Sequence, residues 1–376
     1  MFGHQTHPIS TLWISLSNLS CSKKSALPNA GMESGGECEE NLAAPDIIRI
    51  VLIVGMGTTV CLLGIVLNTL LLLSFSRLQF RNTNLLYLFL LAVFDIFVEL
   101  SFMLMFPSAL IWEYFRVEFL YVAWHHYIRY ISTCAQVLIA ASTLLIVSAS
   151  FERYVCSFSS SAGIKSKNRM LVIAVVILSA IIMKGSVYFE LELQTLPNCR
   201  PLTNLRLDLS EITRSDLYKT VWMFWCRNFL NVFLPFSLLL LLNSATIANL
   251  NKHSREFIAE QLPSLLPGGT HASLARRKKK DATRTLAALV TIYLLSNTLN
   301  LLLTIMEFID PEFLRELGEG RVYNYLADLS SLLTISSTAS RLPVYYHCNH
   351  EIRKQLRHFF GQFHLKKQIA VRQQHL

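Results

Sequence analysis

Residues 47–75 decide the fold, because they form one long apolar stretch: IIRIVLIVGMGTTVCLLGIVLNTLLLLSF. The hydrocarbon core of a bilayer is about 30 Å thick, and a helix needs roughly 20 mostly apolar residues to cross it. A segment that lies alone in lipid must satisfy its own backbone hydrogen bonds, so this stretch is predicted to be helical. The sequence therefore predicts a membrane-spanning helix and not an element of a soluble core.

Six further stretches of this kind follow along the chain. We predict seven spanning helices in all, at residues 47–75, 85–106, 124–155, 170–189, 218–250, 285–308 and 323–348. The composition agrees, because 52% of the 376 residues are hydrophobic and 16% are charged, against about 45–50% and about 25% in a soluble domain. The alternating polarity of a membrane β-barrel is absent from the sequence. The predicted fold class is an all-α membrane protein, a seven-transmembrane helix bundle.

Positive charge separates the two ends of the predicted bundle. The chain has a net charge of +9, and its Lys and Arg residues lie mainly in the loops after the first, third and fifth spans and in the C-terminal tail. Because cytoplasmic loops carry an excess of Lys and Arg, the N-terminus is predicted outside and the C-terminus inside. This places Asn18, in an Asn-Leu-Ser glycosylation sequon, on the outer side. The one-sided distribution indicates a lipid membrane as partner and not nucleic acid.

The chain accordingly divides into three regions. Residues 1–46 are predicted to be an extracellular disordered tail, residues 47–348 the seven-helix domain, and residues 349–376 a cytoplasmic amphipathic helix and tail. The amphipathic helix has basic residues on one face, which is typical of a helix that lies on the anionic inner leaflet. Its apolar face consists of Ile352, Leu356, Phe359, Phe360 and Phe363.

Polar side chains inside a bilayer are costly, so those in the spans are functional candidates. Asn68 and Asp95 lie in the middle of the first and second spans, and Ser142 lies in the middle of the third. An ionised Asp95 needs a partner or a cation, and Ser142 is placed to add an oxygen ligand. The alternative is a protonated or water-bonded Asp95 that only stabilises helix contacts.

Further motifs lie near the inner ends of the spans. Glu152-Arg153-Tyr154 closes the third span, where an acid beside an Arg is by itself no more than a local ion pair. A proline in the fifth span and Pro343 in the seventh each remove a backbone hydrogen bond and favour a kink. Tyr346 follows Pro343 by three residues near the predicted inner surface.

Together these motifs resemble those of rhodopsin-like (class A) G-protein-coupled receptors, over residues 47–363. The shared elements are an Asn in the first span, Leu-Ala-x-x-Asp in the second, Glu-Arg-Tyr closing the third, Pro in the fifth and Pro-x-x-Tyr in the seventh. The resemblance implies a plasma-membrane receptor, not an enzyme, that signals to a heterotrimeric G protein, with arrestin as a further partner. It implies a structural sodium ion at Asp95 and Ser142, and no other cofactor. The residues it implies for coupling and switching are Glu152, Arg153, Tyr154, Asn297, Pro343 and Tyr346.

The chain departs from the family pattern in its cysteines. Cys199 lies in the second outer loop, but the family's usual partner at the outer end of the third span is missing. The nearest cysteine of that span, Cys134, lies about two turns deeper. Cys21 and Cys38 in the outer tail are the remaining candidates, because the outside is oxidising. The partner of Cys199 therefore stays open.

Two further departures concern the inner end. The usual Asn before the seventh-span Pro is Leu342, which follows a basic Arg341. Lys279 stands where related receptors have an acid that restrains Arg153, so some ligand-independent activity is expected. The basic run at residues 276–280 either contacts a G protein or arrestin, or is a topology signal bound to solvent or lipid.

The ligand class follows from a second, narrower resemblance. Residues 188–190, 296–300 and 328–333 resemble segments of invertebrate and nematode receptors for FMRFamide-type and myosuppressin-type neuropeptides. Such peptides carry an Arg and an aromatic ring, and an acid in the outer half of a span is the physical complement of a guanidinium. The candidate ligand-binding residues are Glu99, Arg129, Gln136, Trp222, Trp225, Arg227, Glu307 and Asp328.

Among these candidates, the acids have two interpretations. Glu99 or Asp328 is expected to pair with the ligand's Arg. The alternative is that these acids pair internally with Arg129 or Arg227.

Other classes are less well supported. Amine receptors carry an Asp where this chain has Ala135, and opsins carry a Lys where it has Ser336. A transporter is expected to show internal repeats, which we do not find. A membrane enzyme needs facing His or Asp groups, whereas His125 and His126 are adjacent near an outer boundary. A chemosensory receptor for a small molecule is the main remaining alternative.

Overall fold

Seven long helices make up most of the part of the chain that the computed structural model describes, which is residues 46–76, 85–158, 166–197, 199–215, 217–261, 270–309, 321–350, 352–358 and 361. The predicted seven-helix bundle is confirmed. Their bounds are Ile47–Arg49, Ile50–Gly57 and Thr58–Ser76 for α1, Leu85–Phe115 for α2, Glu118–Phe158 for α3, Ser166–Lys184 for α4, Tyr218–Cys226, Phe229–Phe233 and Leu234–Gln261 for α5, Thr270–Ile309 for α6, and Arg321–Ala339 and Arg341–Cys348 for α7.

Two of these helices contain wide π-helical turns, in which the backbone hydrogen bonds span five residues. In α1 the π segment is Ile50–Gly57, and in α5 the π segments are Tyr218–Cys226 and Phe229–Phe233. Both helices continue as ordinary α-helix toward the end of the bundle where Arg153 lies. We call that end the inner end and the opposite end the outer end, following the predicted topology.

The described helices present apolar faces away from the bundle. Six helical stretches, one in each of α1 to α6, are long and apolar enough to cross a membrane. Leu62 and Val66 of α1 and Leu171 and Leu178 of α4 are each more than half exposed. Rows of exposed Leu and Val on long helices are unfavourable in water and favourable against lipid tails. These faces therefore agree with a multi-pass membrane protein.

The second and third helices are longer than the sequence predicts. α2 continues past Phe106 and through Pro107 to Phe115, and α3 begins at Glu118. A proline inside a spanning helix frees the carbonyl four residues earlier, which for Pro107 is that of Met103. At the next residue, the Ser108 Oγ and the Tyr127 hydroxyl both donate to the Leu104 carbonyl oxygen, the latter at 2.8 Å. The span predicted from hydropathy ended at Phe106, just before Pro107, whereas the helix continues through this proline.

A β-hairpin covers part of the outer end. Its strands, β1 (Leu191–Thr195) and β2 (Leu205–Leu209), pair antiparallel. The Tyr121 hydroxyl of α3 donates to the Leu205 carbonyl oxygen at 2.7 Å and accepts the Leu205 amide at 2.9 Å. This double hydrogen bond fixes the hairpin to the outer end of α3.

The cysteines follow the expected departure from the family pattern. Cys199, just before β2, is disulfide-bonded. Cys134 of α3 is free and exposed. Cys21 and Cys38, the two candidates in the tail, lie outside the described residues, as does the sequon at Asn18.

The amphipathic helix after α7 is packed on the bundle. Helix α8 covers residues 352–358, and Ile352 and Leu356 are buried in one core cluster with Phe75 and Tyr345. Its apolar face thus contacts α1 and α7 at this point. Phe359, Phe360 and Phe363 lie outside the described side chains.

Helices α1 and α2 approach each other closely at Gly64. A Cβ atom at this position would lie 2.6 Å from Cδ of Glu99, well inside van der Waals contact. Gly55, earlier in the same helix, has nothing within 4 Å of its ideal Cβ position. The first glycine is therefore required by packing, and the second is not.

We expect Gly64→Ala to destabilise the protein by about 1–3 kcal/mol, because the new methyl group overpacks a buried site. Gly55→Ala is the matched control and should be neutral or stabilising by up to about 1 kcal/mol, because alanine loses less backbone entropy in a helix. Thermal melting of the detergent-solubilised protein measures both. A melting temperature for Gly64→Ala at or above that of the control would contradict the packing argument.

Candidate functional site

Arg153 lies at the inner end, where α3, α5 and α6 line a cavity. The other lining residues are Ser150, Asn243, Thr246, Thr283, Leu286 and Ala287. The Arg153 side chain is only partly buried. Within the described part of the chain, its guanidinium has no hydrogen bond and no ion pair. A guanidinium that lines such a cavity without a partner in the described part of the chain is available to bind carbonyl or carboxylate groups of a partner.

Glu152 does not pair with the adjacent Arg153. Its carboxylate instead receives Nη2 of Arg169 on α4 at 2.7 Å and Nε at 3.2 and 3.3 Å. Both side chains are buried. This ion pair ties α3 to α4 and turns the acid away from Arg153. The sequence assigned Arg169 only to the basic inner loop, and Tyr154, the third residue of the motif, is partly buried.

A polar network joins three helices in the middle of the bundle. Glu99 of α2 accepts hydrogen bonds from Asn68 Nδ2 of α1 at 3.2 Å and from Thr338 Oγ1 of α7 at 3.0 Å. Asn68 Nδ2 also lies 3.4 Å from the Thr338 carbonyl oxygen. Both Asn68 and Glu99 are fully buried. The candidate ligand acid Glu99 is therefore engaged in helix contacts.

Asp95 lies one turn inward of Glu99 on α2 and has a basic partner. Nε of Arg341 on α7 lies 2.8 Å from Asp95 Oδ2, and both side chains are buried. Neither carboxylate oxygen of Asp95 has a hydrogen bond in the described part of the chain. Ser142 is buried, and its Oγ has no hydrogen-bond partner among the described residues.

The Pro-x-x-Tyr segment of α7 follows a break in the helix. The helix breaks between Ala339 and Arg341, as expected when the ring of Pro343 conflicts with the carbonyl four residues earlier. Tyr346 is exposed, whereas Tyr345 is fully buried, with its ring edge-on to Phe75 at 5.8 Å between centroids. The inward-facing tyrosine of this segment is thus Tyr345.

Asn297, the remaining predicted switching residue, bonds within its own helix. Its Nδ2 donates to the Tyr293 carbonyl oxygen at 2.9 Å. The Tyr293 hydroxyl in turn lies 3.2 Å from Thr143 Oγ1 of α3. The α3–α6 contact at this depth runs through Tyr293, which the sequence did not single out.

An acidic cluster lies at the outer end between α1, α2 and α7. Asp328 of α7 is fully buried, and its carboxylate accepts two hydrogen bonds from the Arg49 guanidinium of α1, at 2.6 and 3.2 Å. Asp46 accepts the Tyr325 hydroxyl at 2.6 Å, and Asp46 and Glu113 both lie within electrostatic reach of the same guanidinium. One Arg thus faces three carboxylates. The acid Asp328 is paired internally, but with Arg49 and not with Arg129 or Arg227.

A second buried network joins α5 to the segment before β1. Glu190 is paired with the guanidinium of Arg227, one of whose contacts measures 3.0 Å. The Tyr218 hydroxyl donates to Glu190 Oε1 at 2.9 Å, and the Ser186 Oγ donates to the same oxygen at 3.3 Å. Trp222 Nε1 lies 3.3 Å from Ser186 Oγ. The internal pairing expected for Arg227 therefore occurs, but its partner is an acid that the sequence had noted only as part of a motif.

The remaining ligand candidates are spread over the outer half. The Arg129 guanidinium stacks 4.4 Å from the ring centroid of Tyr188 and donates to the Tyr188 carbonyl oxygen at 3.2 Å. Gln136 is buried, and Trp225 is 53% exposed. The side chain of Glu307 lies outside the described residues. The structure therefore brings Arg227 and Trp222 into one network and leaves Trp225 open at the surface.

Comparison with known proteins identifies the fold. No family model matches the chain, and no curated protein matches it. Among solved structures, the crystal structure of squid rhodopsin is similar, with a TM-score of 0.63 and 14% sequence identity, and the match covers 89% of this chain and 92% of that one. The chain therefore has a rhodopsin-like fold.

The Glu152–Arg169 pair gives a testable energetic consequence. Arg169→Met should destabilise the protein by about 3–5 kcal/mol, because it leaves a buried carboxylate without its partner. The double variant Glu152→Gln with Arg169→Met should recover most of that loss. The exposed pair Arg206–Asp208, at 3.0 Å in the hairpin, is the matched control, and Arg206→Met should change stability by at most about 1 kcal/mol. Equal losses in the single and double variants would show that the two side chains are not coupled.

Proposed function

We propose that this chain is a G-protein-coupled receptor of the rhodopsin-like class, located in the plasma membrane, that transmits ligand binding to heterotrimeric G proteins. The observation that carries the proposal is the state of Arg153. Its guanidinium faces the inner cavity without a partner among the described residues, because the neighbouring acid Glu152 is bound by Arg169. A cation at that position is suited to receive carbonyl groups from the end of a partner helix.

The same observation supports ligand-independent activity. In such a receptor, an acid that binds the inner arginine would restrain it, and here the candidate acid is engaged on α4. Arg153 can therefore bind a partner while Glu152 and Arg169 remain paired. The proposed receptor therefore signals to some degree without ligand, and arrestin is a second proposed partner at the same surface.

For the ligand we propose a neuropeptide of the Arg-Phe-amide type. The acidic cluster at the outer end supports a cationic group, because Asp46, Glu113 and Asp328 all lie within electrostatic reach of Arg49, and a second guanidinium would find carboxylates there. A guanidinium of the ligand would compete with Arg49 for the Asp328 carboxylate. Glu99 is not proposed for this role, since its carboxylate lies between α1 and α7 with Asn68 and Thr338.

An aromatic surface in the outer half supports the second group of such a peptide. The rings of Tyr130 and Tyr188 lie 5.3 Å apart between centroids, and Tyr130 is 61% exposed. Trp225 of α5 is also exposed. Exposed aromatic rings provide large contact areas at low entropic cost for a ligand side chain.

One observation favours a different ligand, a small anionic molecule sensed by a chemosensory receptor. Lys184, at the outer end of α4, is 7% exposed and lies within electrostatic reach of Arg227 and Glu190. Glu190 is already occupied by Arg227, and Lys184 has no hydrogen bond in the described part of the chain. A carboxylate or phosphate would supply Lys184 with the anionic partner that Glu190 does not. Retinal is not proposed, because Ser336 stands where an opsin has its lysine.

Arg153→Ala tests the coupling proposal. In cells with a promiscuous G-protein readout, we expect the basal signal to fall to that of mock-transfected cells, because the partner loses its cationic contact. Arg357→Ala in α8, an exposed arginine at the same end, is the matched control and should keep the basal signal. Both variants must reach the cell surface in equal amounts. A basal signal of Arg153→Ala equal to that of the wild-type chain would contradict the proposal.

Asp328→Asn tests the ligand proposal, with a panel of C-terminally amidated Arg-Phe peptides as probe. Potency should fall about 10- to 100-fold, as expected for one charge-assisted contact. Arg49→Gln should raise potency, because it removes the internal competitor. Glu211→Gln, at an exposed acid after β2, is the matched control and should leave potency unchanged. If the peptides activate the wild-type chain, Asp328→Asn and Arg49→Gln with equal potency, the Asp328 carboxylate is not the peptide's contact.

A further inference from the structure

We infer that Arg341 is the resident cation of Asp95 and that this protein does not bind the sodium ion implied by its resemblance to rhodopsin-like receptors. The inference is independent of the proposed ligand. It starts from the position of Arg341, which the sequence showed only as a basic residue beside Leu342. Its guanidinium reaches from α7 to within 2.8 Å of the Asp95 carboxylate on α2.

Buried oxygen atoms of α2 and α3 at first favour a cation site. Both carboxylate oxygens of Asp95 and the Oγ of Ser142 are buried without a hydrogen bond in the described part of the chain. Such atoms are chemically suitable ligands for a hard monovalent cation. The test of the fit is therefore the charge already present beside them.

The charge of Arg341 argues against an added ion. A sodium ion on the Asp95 carboxylate would lie roughly 4 Å from the guanidinium, and repulsion at that distance weakens binding about a thousandfold, equivalent to about 4 kcal/mol at an effective dielectric constant of 20. The Arg341 side chain is 7% exposed and that of Asp95 is fully buried, so solvent screens little of this repulsion. Arginine remains protonated in proteins, so the charge is permanent.

Glu99 is the second acid of the region, and it is held on the α1 and α7 side. Its Oε1 accepts both Asn68 Nδ2 and Thr338 Oγ1, and its carboxyl group packs against Gly64 on α1. Its Oε2 is buried without a hydrogen-bond partner in the described part of the chain. One oxygen of Glu99 is thus committed to α1 and α7, while Ser142 lies on α3.

The arrangement makes the α2–α7 connection independent of the ionic medium. In a site that binds a soluble cation, the protein is stabilised in proportion to the logarithm of the ion concentration. Here the cation belongs to the chain, so the concentration of sodium does not enter. The link is present whenever α7 is folded against α2.

The experiment compares thermal melting of the purified full chain in sodium chloride and in choline chloride at equal ionic strength. The wild-type chain should show the same melting temperature in both salts. Arg341→Asn should melt lower in choline and rise by several degrees in sodium, because it exposes the Asp95 carboxylate to the ion. The double variant Asp95→Asn with Arg341→Asn should lose the sodium response, and Arg357→Asn in α8 is the matched control for loss of an arginine.

Two results would overturn the inference. A sodium-dependent rise in the wild-type chain that Asp95→Asn abolishes would show that the ion binds despite Arg341. An Arg341→Asn variant that folds but ignores sodium would show that the arginine is not what excludes the ion. If Arg341→Asn does not fold, the wild-type and Asp95→Asn arms decide alone. Because melting requires no signalling, failure here is distinct from failure of the proposed receptor function.

Discussion

An unpaired charge in the low-dielectric interior of a membrane bundle is expensive, and the rest of this structure depends on how that cost is met. Among the described residues, four buried ion pairs meet it at different depths: Glu152–Arg169, Asp95–Arg341, Glu190–Arg227 and Asp328–Arg49. Most of them join two spanning helices, and the third joins α5 to the segment before β1. Removing one partner of such a pair costs more than removing both, so each pair fixes the register of the elements it joins.

The seven helices were predictable from the sequence, and the pairing of their charges was not. Length and apolarity are local properties, so residues 47–75 alone predict a span. The partner of a buried acid depends instead on which helix lies opposite. Arg49 lies at the start of that same apolar stretch, and nothing local connects it with Asp328, 279 positions away.

The errors of detail have the same origin. The alternative that outer acids pair internally with Arg227 was right in kind, but the acid is Glu190. Pro-x-x-Tyr predicts a tyrosine near the inner surface at 346 but not which tyrosine packs into the bundle, and after the break in α7 it is Tyr345 that is buried. In both cases, the orientation of a side chain follows from helix packing and from the break, neither of which the residue pattern contains.

Helix α7 takes part at every depth. It supplies Asp328 to the outer cluster, Thr338 and Arg341 to the middle network, and Tyr345 to the core beneath α8. Its only interruption among the described residues lies at Ser340, between the two middle contacts. A ligand group that displaces Arg49 in the proposed receptor would therefore act directly on the helix that also carries the inner core.

The π-helical turns of α5 have a consequence for rotation. They lie on both sides of Arg227 and on the outer side of Pro235, the proline of the fifth span. Each wide turn accommodates one more residue than an α turn, so tightening one of them would swing the outer segment by about 100° relative to the rest of the helix. Arg227 would then leave Glu190 and present a different face of α5. The direction in which this guanidinium points is thus set by backbone winding several residues away. The Arg227–Glu190 pair forms only in one rotational position of the outer half of α5.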